Sequence, residues 1–223
     1  MKVTTDACLF GGWIADEIKN EINPSQHLLD IGTGTGLLSL MIAQKNPRRF
    51  IDAVEIDPEA GKQAHENSMA SPFSKQLNII KGDIRNLSAD KLYDTIISNP
   101  PFYENELNSI DLKRNVAHHS SGLRYDDLFR LINKHLKETG AFYLLIPYKR
   151  NAEIKRSMES HRLYAAKEVH VRQSVHHDFF RVMIAGIKER RSYNERAAMS
   201  IWNEKQQYTS AFVKYLQDYY LYL

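Results

Sequence analysis

Two short segments of the chain combine residue types and spacings that could do chemistry. In the first, Asp30-Ile31-Gly32-Thr33-Gly34-Thr35-Gly36, a carboxylate stands two residues before three alternating glycines, where an apolar run gives way to a helical pattern. Glycines at such a place allow a tight turn and let a ligand approach the backbone. A dinucleotide-binding loop reads G-x-G-x-x-G and turns a helix N-terminus toward a pyrophosphate; the spacing here is G-x-G-x-G. Asp30 would repel a pyrophosphate but would accept from an ammonium group, such as the amino-acid end of the sulfonium cofactor S-adenosylmethionine (SAM). Glu55 stands 23 positions after Gly32, close to the offset of about 20 residues at which an acidic side chain meets ribose hydroxyls in such folds. Asp83 offers an acceptor for an adenine amino group, with Ile56 and Ile84 as apolar faces on either side of the ring. The competing reading is that these are ordinary polar strand ends.

The second segment is Asn99-Pro100-Pro101-Phe102, directly after the apolar run Ile96-Ile97-Ser98. Two prolines remove backbone donors and hold the chain in an extended bend. Their carbonyls stay free as acceptors, Asn99 adds a side-chain carbonyl, and Phe102 adds a flat apolar face. Together these suit a planar substrate that carries an amino group. Asn99 and Pro100 would accept its two N–H bonds and favour a pyramidal nitrogen whose lone pair is released for attack, while Phe102 stacks on the ring.

The elements that position both segments follow from hydrophobic periodicity. Short apolar runs at 27–31, 50–54, 77–80 and 93–98 read as strands, and 37–45 and 58–69 between them read as helices. That alternation is expected of a mostly parallel sheet covered by helices. The stretch 103–124 is polar without a clear period, and a connection that long suggests function. Beyond it, 126–136 predicts a helix, 141–146 a fifth strand and 151–160 another helix. The runs 169–172 and 179–187 predict an antiparallel pair, because the short segment between them leaves no room for a crossover helix. Arg181, near the start of the second, reads as either an RNA contact or an ion-pair residue. Tyr208, Phe212, Tyr215 and Tyr219 share one helical face and read as core packing. No repeat, low-complexity tract or linker divides the chain, so residues 1–223 are expected to form a single domain.

Composition narrows the classes. The chain has 223 residues, 43% hydrophobic and 26% charged, a balance that supports one well-buried core. Mean hydropathy is -0.48, and no window approaches the ~18 to 20 apolar residues that a membrane helix needs. The opening residues lack the plan of a signal peptide, and the one cysteine, Cys8, cannot form an internal disulfide or a cysteine zinc site. A reducing, cytoplasmic setting is expected. The net charge is only +3, yet Tyr148 to Arg191 holds 11 Lys/Arg against 5 Asp/Glu, a tract that reads either as a phosphate-tracking region or as a solvated surface. His118-His119 and His176-His177 point apart within each pair, no carboxylate set completes a site, and no metal is expected.

In order and spacing, Asp30 to Gly36, Glu55, Asp83 and Asn99 to Phe102 resemble the class I SAM-dependent methyltransferases that act on planar amino nitrogens. Met1-Lys2-Val3-Thr4-Thr5-Asp6-Ala7, with Leu9, Gly12 and Trp13, narrows the resemblance to the bacterial tRNA(Val) adenine N6-methyltransferases, which modify adenosine 37 beside the anticodon. Ile51 to Glu55, Ala64, Glu66 to Ser68, Pro72, Arg114, Ala117, Tyr208, Tyr220 and Leu221 extend it along nearly the whole chain. The resemblance implies a Rossmann-like α/β fold with a seven-stranded, mostly parallel sheet, an antiparallel C-terminal hairpin and helices on both faces. It implies SAM as cofactor: Thr5, Asp30 and Gly32 at the methionine end, Gly34 and Gly36 as further cofactor-binding residues of the same turn, Glu55 at the ribose, and Asp83 and Ile84 at the adenine, with Ile56 as the second apolar face on the ring. Asn99, Pro100, Pro101 and Phe102 would take the base of a tRNA anticodon loop. Lys113, Arg114 and His118 are candidates for RNA contact. Thr4 stands where the family often has glycine, and His118 where it has a basic residue such as arginine. Family members usually carry a further stretch ahead of the Met-Lys-Val segment. Rival readings are methylation of guanine N2 in ribosomal RNA or of a release-factor glutamine, and a SAM- or RNA-binding module without catalysis.

Overall fold

The computed structural model describes residues 3–19, 26–101 and 123–223; Phe102, Lys113, Arg114 and His118 lie outside them. The first element, α1 (Thr5–Glu17), is followed by β1 (His27–Ile31), α2 (Leu37–Lys45), β2 (Phe50–Glu55), α3 (Pro58–Ala70), β3 (Leu77–Lys81) and β4 (Tyr93–Ser98). After the long connection come α4 (Tyr125–His135), β5 (Leu136–Pro147), α5 (Asn151–Ser160), β6 (Tyr164–Ser174), β7 (Phe179–Ile187), β8 (Glu195–Trp202) and α6 (Ser210–Leu216).

The strands form one sheet in the order β3-β2-β1-β4-β5-β7-β6-β8. Strands β1 to β5 run parallel, β7 is antiparallel to both β5 and β6, and β8 pairs with β6 in parallel. The sheet therefore has eight strands, one more than expected, and the predicted hairpin is interior to its far end. The additional strand is β8, whose first four residues are all exposed, so the sequence shows no alternation until Met199 and Ile201. The hairpin itself is longer than its apolar centre, because half-buried residues at 164–167 extend β6.

Successive residues point to opposite faces, and each face has its own core. Leu28, Ile97, Tyr143, Leu145 and Met183 pack beneath α1, α2 and α6. Leu29, Ile96, Phe142, Leu144 and Ile184 pack beneath α4 and α5. Helix α1 was not evident from periodicity because it is buried on nearly every side, from Asp6 to Ala15. Its Gly12 is needed for close packing: a Cβ there would stand 2.3 Å from the Tyr215 carbonyl oxygen. The aromatic residues near the C-terminus do pack together. Trp202, Tyr208 and Phe212 stack at 4.1 and 4.6 Å between ring centroids, although only 210–216 of that stretch is helical.

Among the described residues no helix is long and apolar enough to cross a membrane, and no group of three or more His, Cys, Asp or Glu is disposed to hold a metal ion.

Candidate active site

The strand order reverses between β1 and β4, and in open α/β sheets ligands bind outside the strands' C-terminal ends at such a reversal. Register brings the two chemical segments there: Ile31 pairs with Ser98, so Gly32 and Asn99 each step off a neighbouring strand. The Ser98 hydroxyl donates to the Ile31 carbonyl at 2.8 Å and ties the two exits together. Gly32 and Thr33 donate backbone N–H bonds to the Val54 carbonyl at 2.9 and 3.1 Å, and Gly82 donates to the Glu55 carbonyl at 2.8 Å. These bonds align the ends of β2 and β3 on the same edge.

Gly32, Gly34 and Gly36 have φ of 72°, 59° and 85°, the left-handed region that glycine enters without steric cost. Nothing lies within 4 Å of where a Cβ on Gly32 would stand, so a ligand can reach the backbone. Asp30 lies beneath this turn with no exposed surface. Its Oδ2 accepts from the hydroxyls of Thr33 at 2.6 Å and Ser39 at 2.7 Å, while its Oδ1 is buried with no partner among the described residues. Burial pushes the Asp30 carboxyl up to about 6; the two hydroxyls oppose that rise and the nearby Glu55 adds to it. A buried acceptor lacking a donor is costly. The ammonium group of SAM is a donor of the required charge.

Glu55 is buried too. Its Oε2 accepts from the Gly34 N–H at 2.8 Å and its Oε1 from the Asp57 N–H at 2.9 Å. A carboxylate has about four acceptor sites, so each oxygen retains one for a ribose hydroxyl. Ile56 beside it is 46% exposed, an apolar face open to a ring. Ile84 instead is packed into the core beneath α4. Asp83 is already engaged: the Arg85 backbone N–H and guanidinium hold it, and that side chain, the largest influence, keeps its carboxyl below the usual range. Nothing in the spacing of Asp83 and Arg85 foretold this capture.

Asn99 leads out of β4 with its Oδ1 buried and without a partner among the described residues. Pro100 and Pro101 follow it away from the sheet, and neither offers an N–H to satisfy that oxygen. Thr5 opens α1, whose start is fixed at the same edge by the Arg181 guanidinium donating to Asp6 at 2.8 Å. Of the two readings open for Arg181, the geometry supports the ion pair. Sequence reasoning missed three contributors. Thr33 and Ser39 meet Asp30 only because α2 folds back over β1. Tyr125 opens α4 with a buried hydroxyl that has no partner among the described residues, and burial pushes its pKa up to about 12.

Eight strands in this order and a glycine turn opposite an Asn-Pro-Pro exit define the class: a SAM-dependent methyltransferase of the Rossmann-like kind. The methyltransferase small domain family matches residues 14–171. Curated tRNA1(Val) (adenine(37)-N6)-methyltransferases are similar over most of the chain. That of Dyadobacter fermentans is 44% identical over 147 residues, 66% of this chain and 59% of the relative. That of Porphyromonas gingivalis is 36% identical over 82% of this chain and 73% of its own, and that of Pedobacter heparinus 31% over 99% and 92%. The chain belongs to the methyltransferase small domain family and, within it, to the tRNA1(Val) (adenine(37)-N6)-methyltransferases. Solved structures agree on the fold. A predicted O-methyltransferase from Agrobacterium tumefaciens superposes with a TM-score of 0.72 at 17% identity, covering 95% of each chain. The glycopeptide N-methyltransferase MtfA in complex with SAM gives 0.58 at 12% identity, covering 80% of this chain and 94% of its own.

Proposed function

We propose that this chain transfers the methyl group of SAM to N6 of adenosine 37 in a valine tRNA. One observation carries the reading: the buried Asn99 Oδ1, unpartnered among the described residues, sits one strand away from the glycine turn. An acceptor left open there requires a donor from the substrate, and an exocyclic amino group supplies one. When bound, SAM supplies an electrophilic methyl group. Asp30 and the turn at 32–36 hold its amino-acid end, Glu55 its ribose, and Ile56 covers the ring; Asp83, engaged by Arg85, contributes through the shape of the turn after β3.

The amino nitrogen is poorly nucleophilic because its lone pair is shared with the ring. Asn99 Oδ1 and the Pro100 carbonyl accept its two N–H bonds, which favours a pyramidal nitrogen with the lone pair directed away from them. Fixed acceptors and fixed orientation are the protein's contribution to the rate. The base must leave its stack to enter, which costs less in a single-stranded loop than in a duplex. The names and coverage of the relatives support valine tRNA as the substrate, and a tRNA substrate would place the reaction in the cytoplasm. One continuous sheet with a core on each face supports residues 1–223 as a single catalytic domain.

The test is transfer of labelled methyl from SAM into unmodified total tRNA and, separately, ribosomal RNA, followed by mass identification of the modified nucleoside. N6-methyladenosine in valine tRNA, lost when adenosine 37 is replaced by guanosine, is the expected result. N2-methylguanosine in ribosomal RNA would overturn it.

A further inference from the structure

We propose that the catalytic end of the β6–β7 hairpin, together with the exit of β5, is the shelf that receives the nucleotides flanking the target base. The inference rests on the RNA substrate proposed above and assigns that substrate a surface.

The basic tract from Tyr148 to Arg191 is contiguous in sequence, and the sheet divides it. Because β7 runs antiparallel to β5, Pro147 pairs with Arg181 and Ala141 with Ile187. The start of β7 and the end of β6 thus lie on the same edge as Asn99, while Lys188, Arg190 and Arg191 are carried to the opposite edge. Neighbouring strands are about 4.8 Å apart, so β7 stands about 10 Å from β4 along the catalytic edge. A loop that delivers one base to Asn99 must lay its neighbours on ground this close.

The residues there suit a loop of RNA. Tyr148, His170 and Phe179 form a triangle of rings, with centroids 5.3, 5.3 and 5.5 Å apart. Arg172 places its guanidinium carbon 5.3 Å from the Phe179 ring centre. It donates to Ser200 Oγ at 3.0 Å and the Val175 carbonyl at 3.4 Å, both neutral acceptors. Among the described residues Arg172 makes no ion pair, and Glu168, four residues back along β6, is engaged by Lys155 at 2.8 Å. Lys149 at the exit of β5 is exposed and also makes no ion pair among the described residues. A cation stacked on an aromatic face and left without a counter-charge fits a phosphate beside a stacked base. At the opposite edge the charge is spent differently, with Lys188 paired to Glu138 at 2.8 Å.

The two ends of one hairpin provide the test. Wild type, Arg172→Gln, Arg172→Lys, Phe179→Leu and the double variant Arg190→Gln/Arg191→Gln are compared for methyl transfer to unmodified tRNA, tRNA affinity across a salt series, and SAM affinity. Arg172→Gln is expected to raise KM for tRNA about tenfold with kcat and SAM affinity within twofold, and to lower the salt slope by about 1. Arg172→Lys restores most of the loss, a rescue that a purely structural role would not give. Phe179→Leu raises KM about threefold by removing the flat ring, and the double variant behaves as wild type. Equal losses at both ends, or an unchanged KM in Arg172→Gln, would overturn the shelf. Failure of wild type to methylate any tRNA would overturn the proposed function instead, and the tRNA affinities would still decide the shelf.

Discussion

The two ends of the parallel strands solve the same problem in opposite ways. At the N-terminal ends lies a recess of about 460 Å³ lined by residues that include His27, Phe50, Asp52, Asn78, Lys91 and Tyr93. It is roomy, yet both oxygens of its Asp52 carboxylate already have donors: Asp52 accepts from the Tyr93 hydroxyl at 2.6 Å, Asn78 at 2.6 Å and Lys91 at 3.2 Å. Burial raises its pKa, the three donors more than offset that, and the carboxyl ends below its usual value. At the C-terminal ends Asp30 moves the other way, to about 6, and both it and Asn99 keep a buried oxygen without a partner among the described residues. An open carboxylate oxygen beside a glycine turn, rather than volume, marks the end where a ligand is expected. Gln26 Oε1, Gln76 Oε1 and His135 Nε2 are also unpartnered among the described residues at the N-terminal end, but none of them is a carboxylate and none lies beside a glycine turn.

Changes at the two ends should therefore be felt in different measurements. Asn99→Ala removes the acceptor proposed for the target amino group and is expected to lower the rate of methyl transfer by about 10² to 10³, with SAM affinity and thermal stability near wild type. Retention of the wild-type rate in a folded, SAM-binding Asn99→Ala protein would remove Asn99 from the mechanism. Asp52→Ala strands the Tyr93 hydroxyl and should cost roughly 1 to 3 kcal/mol of stability with kcat/KM unchanged. Denaturant unfolding and steady-state kinetics on both variants decide whether the division holds.

How much of this was legible in the sequence depended on whether a residue acts through its own strand. Asp30, Glu55 and Asn99 stand at strand ends, so the apolar run before each one located it. The strands β1 to β4 were readable for the same reason. Helix α1 was hidden because burial on all sides erases the amphipathic stripe on which helix detection rests, and Gly11 and Gly12 look like breakers. Each in fact admits a neighbour: a Cβ on Gly11 would meet Met41 Sδ at 2.7 Å. Strand β8 was hidden because an exposed edge strand need not alternate. The division of the basic tract was invisible for a third reason. Charge is counted along the chain, but the direction of β7 decides which edge receives it.

The pKa of Asp30 sharpens the comparison further. Its folded value, about 6, lies above the ordinary 3.8, so the folded protein holds this proton more tightly than the unfolded chain does. The resulting stability is fully present below about 3.8 and is lost as pH rises through 6. Cofactor binding has the opposite sign, because an ammonium group favours the ionised carboxylate. SAM affinity is expected to rise about tenfold between pH 5 and 7, the change in ionised fraction for a group with pKa near 6. Calorimetric titration across that range checks it, and Asp30→Asn should flatten the profile.

The smallest effect is the most specific. Ser39 donates to Asp30 Oδ2 at 2.7 Å, and that bond holds the carboxyl below the value burial alone would give. Ser39→Ala removes the donor without touching any residue assigned to the cofactor. A neutral hydrogen bond contributes about 0.5 to 1.5 kcal/mol and one pKa unit is about 1.4 kcal/mol, so the midpoint of the affinity profile should move up by up to about one unit. Affinity at pH 8, where Asp30 is ionised in either protein, should differ by less than about threefold. A uniform loss of affinity at every pH would instead mean that Ser39 shapes the turn rather than the charge, and the division between the two ends of the sheet would then rest on Asn99 alone.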